Sequence, residues 1–339
     1  MTTEALKTLF YPFEAAVLVP PEKGMRVLFL GAEPGFRLPE GWHGEIHAVQ
    51  GFRADFLVLE RMGLAGVSPR AEGEGYEAAL VLAGRHRGLN ELRVAEAVAR
   101  TVPGGLVLVA GGKEDGIASL RKRLGVSIGI EGAVSKHHGV AFWFRSPEHK
   151  AIADTLRAAN PAILVEDRFH TAPGMFSFDR ADAGSKLLVQ HLPGDMRGRV
   201  ADFCAGWGYL AVEVLDRAPA GISALDLYEA DFEALEAARR NVRTVAVQPR
   251  FFWRDLLGEP VEERYEAIVM NPPFHRSRAA EPEIGAGMIR VAARALKPGG
   301  RLLMVANRQL PYEPVLKAGF SSFSEIARDA TFKVLSARR

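Results

Sequence analysis

Residues 198–208 read GRVADFCAGWG, a short apolar run at 200–203 that breaks into a turn carrying Gly206 and Gly208. A strand ending in a glycine turn ahead of an apolar helical stretch opens a βαβ unit. Glycine lets the backbone turn tightly and approach a ligand where a side chain would block it. Downstream, 222–228 reads as a second strand, and 231–242 carries Phe232, Leu235, Ala238 and Val242 at helical spacing. A third strand is expected at 267–270 and a helix at 288–296, stopped by Lys297-Pro298-Gly299-Gly300. A strand at 301–306 and a closing pair at 323–328 and 331–336 complete the alternation. The pattern predicts an α/β fold with a mostly parallel sheet of seven strands covered by helices on both faces.

The N-terminal half repeats the plan in worn form. Residues 25–35 align with 198–208, and 46–60 with 222–236; Tyr76-Glu77-Ala78 matches Tyr265-Glu266-Ala267, His86-Arg87 matches His275-Arg276, and Pro103-Gly104-Gly105 matches Pro298-Gly299-Gly300. Several matches in one order predict an internal duplication. In this alignment Phe29 replaces Asp202, Glu33 replaces Gly206, Arg53 replaces Glu229, and 82–85 (Leu-Ala-Gly-Arg) replaces 271–274. The N-terminal copy is therefore expected to keep the fold and lose the chemistry. Turn signals at Asn160-Pro161 and Ala172-Pro173-Gly174 put the boundary near Val165, giving domains 1–165 and 166–339.

The bulk numbers narrow the function classes. The chain has 339 residues, 48% hydrophobic and 25% charged, with no apolar run of membrane-spanning length. The start lacks the basic-then-apolar order of a signal peptide, and the one cysteine, Cys204, permits no intrachain disulfide. Both features fit the cytoplasm. A formal net charge of +2 permits an anionic partner without requiring one. Histidines such as His137 and His138 lack metal-ligand spacing, so no metal is expected. Nothing in the sequence requires an oligomer.

The turn residues Cys204, Ala205, Gly206 and Gly208, with Asp202 before them, form the candidate cofactor loop. Glu229 follows at the end of the next strand, where a carboxylate can accept from both ribose hydroxyls of an adenosine. These features alone also admit a nicotinamide cofactor. S-adenosylmethionine is favoured because the full three-glycine dinucleotide fingerprint is missing. It is also favoured by Asp255, which follows the strand-like 251–253 where a carboxylate could accept from an adenine amine. Asp226 reads as structural.

Asn271-Pro272-Pro273-Phe274, just after the third strand, is the most informative tetrapeptide. An exocyclic amine on guanine or adenine is a poor nucleophile, because its lone pair is delocalised into the ring. Two acceptors aimed at its hydrogens, the Asn271 side-chain oxygen and the Pro272 carbonyl, favour a localised lone pair. The prolines stiffen the turn, and Phe274 offers a flat face for a flipped base. No strong base is needed before attack, so His275 is read as structural or substrate-facing.

With these residues in place, the chain resembles the RsmC-type ribosomal RNA (guanine-N2)-methyltransferases. The resemblance lies in Pro173-Gly174-Met175-Phe176-Ser177 with Asp182-Ala183-Gly184-Ser185, in 271–275, in Val305-Ala306-Asn307 with Leu310-Pro311-Tyr312, and in Phe332-Lys333-Val334. It implies two tandem Rossmann-like class I methyltransferase domains, the first degenerate. It also implies methyl transfer from S-adenosylmethionine to N2 of a guanine in small-subunit rRNA, with the RNA or the subunit as partner. By resemblance, Phe176 and Ser177 lie near the methionine end of the cofactor. The family usually has Gly where Cys204 stands and an aromatic where Leu335 stands; neither change removes a polar contact.

Four alternatives compete: a large-subunit rRNA methyltransferase, a protein glutamine-amide methyltransferase, a non-catalytic RNA-binding scaffold and a nicotinamide oxidoreductase. The intact Asp202, Gly206, Gly208, Glu229 and Asn271 oppose the scaffold reading. The oxidoreductase would need a hydride site that is not seen.

Overall fold

The computed structural model describes residues 3–218, 220–243, 247–273 and 282–339. The chain divides into two compact units, Met1–Ala162 and Ile163–Arg339. The first contains helices α1 (Glu4–Glu14), α2 (Arg53–Glu60), α3 (Arg87–Arg100), α4 (Ile117–Leu124) and α5 (Ala151–Ala158). Its strands are β1 (Arg26–Leu30), β2 (Glu45–Val49), β3 (Gly66–Ser68), β4 (Tyr76–Leu82), β5 (Thr101–Gly112), β6 (Gly132–Lys136) and β7 (Gly139–Arg145). They form one sheet in the order β3-β2-β1-β4-β5-β7-β6, with β7 antiparallel to both β5 and β6.

The second unit opens with a small antiparallel pair, β8 (Ile163–Val165) and β9 (Phe169–Thr171). Its helices are α6 (Ala183–Gln190), α7 (Tyr209–Arg217), α8 (Phe232–Asn241), α9 (Pro282–Ala295) and α10 (Glu313–Gly319). Strands β10 (Gly198–Phe203), β11 (Ile222–Glu229), β12 (Arg250–Trp253), β13 (Tyr265–Met270), β14 (Leu296–Asn307), β15 (Ser322–Arg328) and β16 (Phe332–Arg338) make the sheet β12-β11-β10-β13-β14-β16-β15. Both sheets therefore have one topology, with the last strand inserted antiparallel beside the fifth.

The core follows the two-residue period of a strand buried on both faces. Val200, Leu225, Leu227, Val269 and Leu303 belong to the core on one side of the second sheet. Ala201, Phe203, Tyr228, Ile268, Met270 and Met304 belong to the core on the other. On β11, fully buried Asp226 interrupts the apolar run. It is held by Arg250 through two hydrogen bonds of 2.8 and 2.7 Å and by the Tyr265 hydroxyl at 2.7 Å. That network makes Asp226 a structural carboxylate.

The duplication is visible in matching polar contacts as well as topology. The Arg26 amide donates to Glu77 Oε2 at 2.7 Å, and the Arg199 amide donates to Glu266 Oε2 at 2.8 Å. The registers correct one detail of the sequence alignment. Leu30 pairs with Val49 and Phe203 with Tyr228, so the residue in Glu229's place is Gln50, not Arg53. The loops ahead of the two second strands differ in length, and aligning on the shared Ala-Asp-Phe moved the frame by three residues. Arg53 instead opens α2, with its guanidinium over the Phe56 ring.

The glycine turns at 103–105 and 298–300 also differ from expectation. They bulge inside long strands instead of separating a helix from a strand. The register jumps from Tyr76↔Thr101 to Ala78↔Leu106, and from Tyr265↔Leu296 to Ala267↔Arg301.

Candidate active site

The site is built at the C-terminal ends of β10, β11 and β13, where parallel strands of open α/β sheets present their loops. After β10 the backbone passes through the left-handed region at Cys204, Gly206 and Gly208, with φ of 60°, 54° and 89°. The two glycines serve different ends. Among the described residues a Cβ on Gly206 would meet nothing within 4 Å. A Cβ on Gly208 would lie 2.9 Å from Val242 Cγ2 and 3.1 Å from Ala238 Cβ, so this glycine lets the loop pack on α8.

Glu229, the last residue of β11, closes the loop from the side. Its Oε2 accepts from the Gly206 amide at 2.7 Å, and its Oε1 accepts from the amides of Ala230 and Asp231 at 2.7 and 2.8 Å. The surrounding protein pushes its carboxyl up to about 7, although the Asp231, Gly206 and Ala230 amides oppose the shift. Beneath the loop Asp202 is fully buried, and among the described residues neither carboxyl oxygen has a hydrogen-bond partner. Burial holds it well above the usual carboxylate range; the nearby Ala211 amide offsets this in part, and the Glu229 charge adds to it. Burial likewise raises the Cys204 thiol.

A pocket of about 380 Å³ opens over this loop. Its lining includes Phe176, Ser177, Cys204, Ala205, Gly206 and Asn271 from the sequence expectation. Five further residues also line it: Asp182, Ser185, Trp207, Tyr209 and Leu210. Asp182 and Ser185 lie in one of the segments that carry the resemblance, which by itself assigns them no role. The available signal was an Asp-x-x-Ser helix start ahead of the apolar 187–189 run. Trp207 ties two parts of the site together: its Nε1 donates to the Phe176 carbonyl at 2.9 Å, and its ring packs on Phe169 and Tyr209. The Phe176 side chain itself is 63% exposed. The Tyr209 hydroxyl is pushed up to about 12, mainly by burial.

Asn271 follows β13 directly. Its side-chain nitrogen donates to Asp182 Oδ2 and to Ser185 Oγ, each at 2.9 Å. Among the described residues nothing donates to its Oδ1. Pro272 is buried and Pro273 exposed; Phe274 and His275 lie outside the described residues. Of the other expected site residues, Asp202, Gly208, Glu229, Asp255, Pro272 and Pro273 are not among the lining. Asp255 Oδ1 accepts from the Leu257 amide at 3.1 Å, closing a local turn.

Among the described residues this site accommodates an adenosyl ligand on three counts: a glycine turn with room at Gly206, a carboxylate at the second strand end, and a buried carboxyl with no partner. Loop, pocket and seven-stranded topology define the class I, S-adenosylmethionine-dependent methyltransferases.

Residues 166–336 match the family described as Methyltransferase small domain. A ribosomal RNA small subunit methyltransferase C of Pseudomonas paraeruginosa is 30% identical over 82% of this chain and 83% of its own length. Another, from Psychromonas ingrahamii, is 35% identical, but the matched region spans 48% of this chain and only 46% of that protein. A solved T. thermophilus 16S rRNA N2 G1207 methyltransferase (RsmC), in complex with AdoMet and guanosine, superposes with a TM-score of 0.77 at 25% identity. That superposition covers 99% of this chain and 91% of the other. The chain belongs to the ribosomal RNA small subunit methyltransferase C family.

Proposed function

We propose that this chain methylates the exocyclic N2 amine of a guanine in small-subunit ribosomal RNA, with S-adenosylmethionine as methyl donor. One observation carries the reading: the Asn271 amide is tethered through its nitrogen, and among the described residues nothing donates to its oxygen, beside a pocket floored by the glycine loop. When bound, S-adenosylmethionine supplies a methyl group already activated on a sulfonium sulfur. The protein's task is then mainly to position the nucleophile.

Glu229 would hold the ribose hydroxyls, and Asp202, Cys204, Ala205, Gly206 and Gly208 would shape the loop against the ligand. Phe176 and Ser177 would border its methionine end. Asp255 would reach the adenine only through the oxygen not used in its own turn. Asn271 Oδ1 and the Pro272 carbonyl would accept from the two hydrogens of the guanine amine. This localises the nitrogen lone pair toward the donor. The displaced proton passes to solvent, so no side chain need act as a base. Phe274 would stack on the base, with Pro273 stiffening the turn between them.

The first unit, on this reading, binds no cofactor and serves RNA recognition or folding support. Its basic residues Lys113, Arg121 and Lys122 are candidates for phosphate contact. Arg123, beside them in sequence, is committed to buried Glu91 at 2.8 Å. A single chain would suffice, and the substrate places the reaction in the cytoplasm. Among the described residues no helix is long and apolar enough to cross a membrane.

The test is to incubate the protein with methyl-labelled S-adenosylmethionine and, separately, naked rRNA, small subunits, large subunits or total protein. Label recovered as N2-methylguanine from small-subunit RNA is the expected result. Label in large-subunit RNA or on protein glutamine would replace this reading with another.

A further inference from the structure

Asn271 presents a physical problem, because an amide is nearly symmetric in shape but opposite in chemistry at its two ends. If the group turned over, its NH₂ would face the hydrogens of the incoming amine, donor against donor. Shape alone does not prevent this, since rotation about the terminal side-chain bond changes little in volume.

From the geometry we infer that Asp182 is a positioning residue that fixes which end of the Asn271 amide faces the substrate, with Ser185 assisting. This rests on the functional reading given above. Asp182 Oδ2 accepts from the Asn271 side-chain nitrogen at 2.9 Å and from the Ser185 amide at 2.8 Å. The second contact caps α6. An ionised carboxylate has no hydrogen to give, so only the nitrogen end of the amide can face it. The Ser185 hydroxyl, which accepts the other Asn271 contact at 2.9 Å, can donate as well as accept and discriminates less. Asp182 therefore sets the polarity, and one carboxyl oxygen serves both the helix start and the catalytic amide.

The start of α6 is held in place for this task. Gly184 leaves room for the Phe332 ring: a Cβ there would lie 3.0 Å from Phe332 Cδ1. Ser185 is buried. The segment 182–185, packed against Phe332 and remote in sequence from 271, thus supports one side chain.

The experiment separates the cap from the clamp with two variants. In Asp182→Ser the hydroxyl still caps the helix but is too short to reach Asn271 as well. In Asp182→Asn the side-chain oxygen can fill both roles. Both variants are expected to melt close to the wild type and to bind S-adenosylmethionine within about twofold of it. Asp182→Ser should lose about tenfold or more in kcat, the scale on which misplacing a reacting group acts, while Asp182→Asn should retain most of it. A readout independent of turnover is the Asn271 side-chain amide in ¹⁵N NMR: protected from exchange in the wild type and in Asp182→Asn, unprotected in Asp182→Ser. Full turnover by Asp182→Ser would overturn the inference and leave the functional reading intact. A wild-type chain with a protected amide but no transfer to any guanine would overturn the functional reading, and the catalytic role of the clamp with it.

Discussion

Gln50 and Glu229 stand at the same place in the two sheets and make mirrored hydrogen bonds. Each accepts, through Oε1 at 2.8 Å, from the amide two residues ahead, Phe52 for Gln50 and Asp231 for Glu229. At the other end the polarity reverses. Gln50 Nε2 donates to the Ala32 carbonyl at 2.7 Å, whereas Glu229 Oε2 accepts from the Gly206 amide at 2.7 Å. The first unit thus has a neutral amide, turned inward, where the second has a carboxylate.

One cofactor per chain follows. Besides the loss of the carboxylate, the Arg93 guanidinium crowds the first turn: a Cβ on Gly31 would lie 2.6 Å from it, and Arg93 is tied to the Leu82 carbonyl at 2.8 Å. Calorimetric titration with S-adenosylmethionine should give a stoichiometry of one, and Gln50→Glu should leave it at one. Two binding events in the wild type would refute the assignment.

Affinity for the cofactor should rise with pH. Ribose hydroxyls donate, so they favour the ionised Glu229, whose carboxyl in the free protein is pushed up to about 7 by burial. Binding should strengthen as pH climbs through that value and should take up fewer protons than it releases. The stability of the free protein runs the other way. A carboxyl raised on folding contributes stability that is fully present below its ordinary 4.5 and lost as pH passes about 7. Glu229→Ala should weaken binding by about 1.5–3 kcal/mol, and Glu229→Gln should flatten the pH profile. Dissociation constants measured from pH 6 to 8 decide the matter.

Asn271→Ala should bind S-adenosylmethionine nearly as the wild type does and lose turnover, because the amide oxygen acts only on the accepting nitrogen. Single-turnover rates at saturating RNA provide the check; an unchanged rate would remove Asn271 from the mechanism.

Cys204→Gly should stabilise the protein. Cys204 sits at a φ of 60°, which costs a residue with a Cβ about 1–2 kcal/mol, against roughly 0.5–1 kcal/mol of extra chain entropy for glycine. A higher melting temperature with unchanged cofactor affinity is expected; a lower one would mean that the thiol's packing outweighs the backbone strain.

Asp226→Ala should cost about 1–3 kcal/mol, the penalty for leaving the buried Tyr265 hydroxyl without its acceptor, since Arg250 is half exposed and keeps its bond to Glu263. Arg250 and the Tyr265 hydroxyl would lose their shared acceptor. Asp226 does not line the pocket, so turnover per folded molecule should be unchanged in denaturation and activity measurements made side by side.

Much of this was legible in the sequence because it is written in local chemistry. The strand before Gly206, the acidic end of β11 and the Asn-Pro-Pro turn each announce themselves within a few residues. The alignment slip at Gln50 shows the limit. Loop lengths are weakly constrained by energy, and only the strand ladder fixes the frame between one sheet position and another. Asp182 shows a second limit. Its capping role can be read from four residues, but its bond to Asn271 spans 89 positions and exists only once the sheet is assembled. Asp255 shows a third: a carboxylate two residues from a free amide satisfies itself locally before it can reach a ligand.

The paired contacts of Glu77 with the Arg26 amide and Glu266 with the Arg199 amide lie where their strands begin, away from the pocket lining. They persist in both units, while almost every polar residue at the opposite strand ends has diverged. The molecule therefore carries its own control experiment. Where the two copies agree, they report what such a sheet needs in order to fold. Where they part, they mark positions that the fold leaves open to other demands, and a substitution tried in the first copy can expose its structural cost apart from any effect on the proposed reaction.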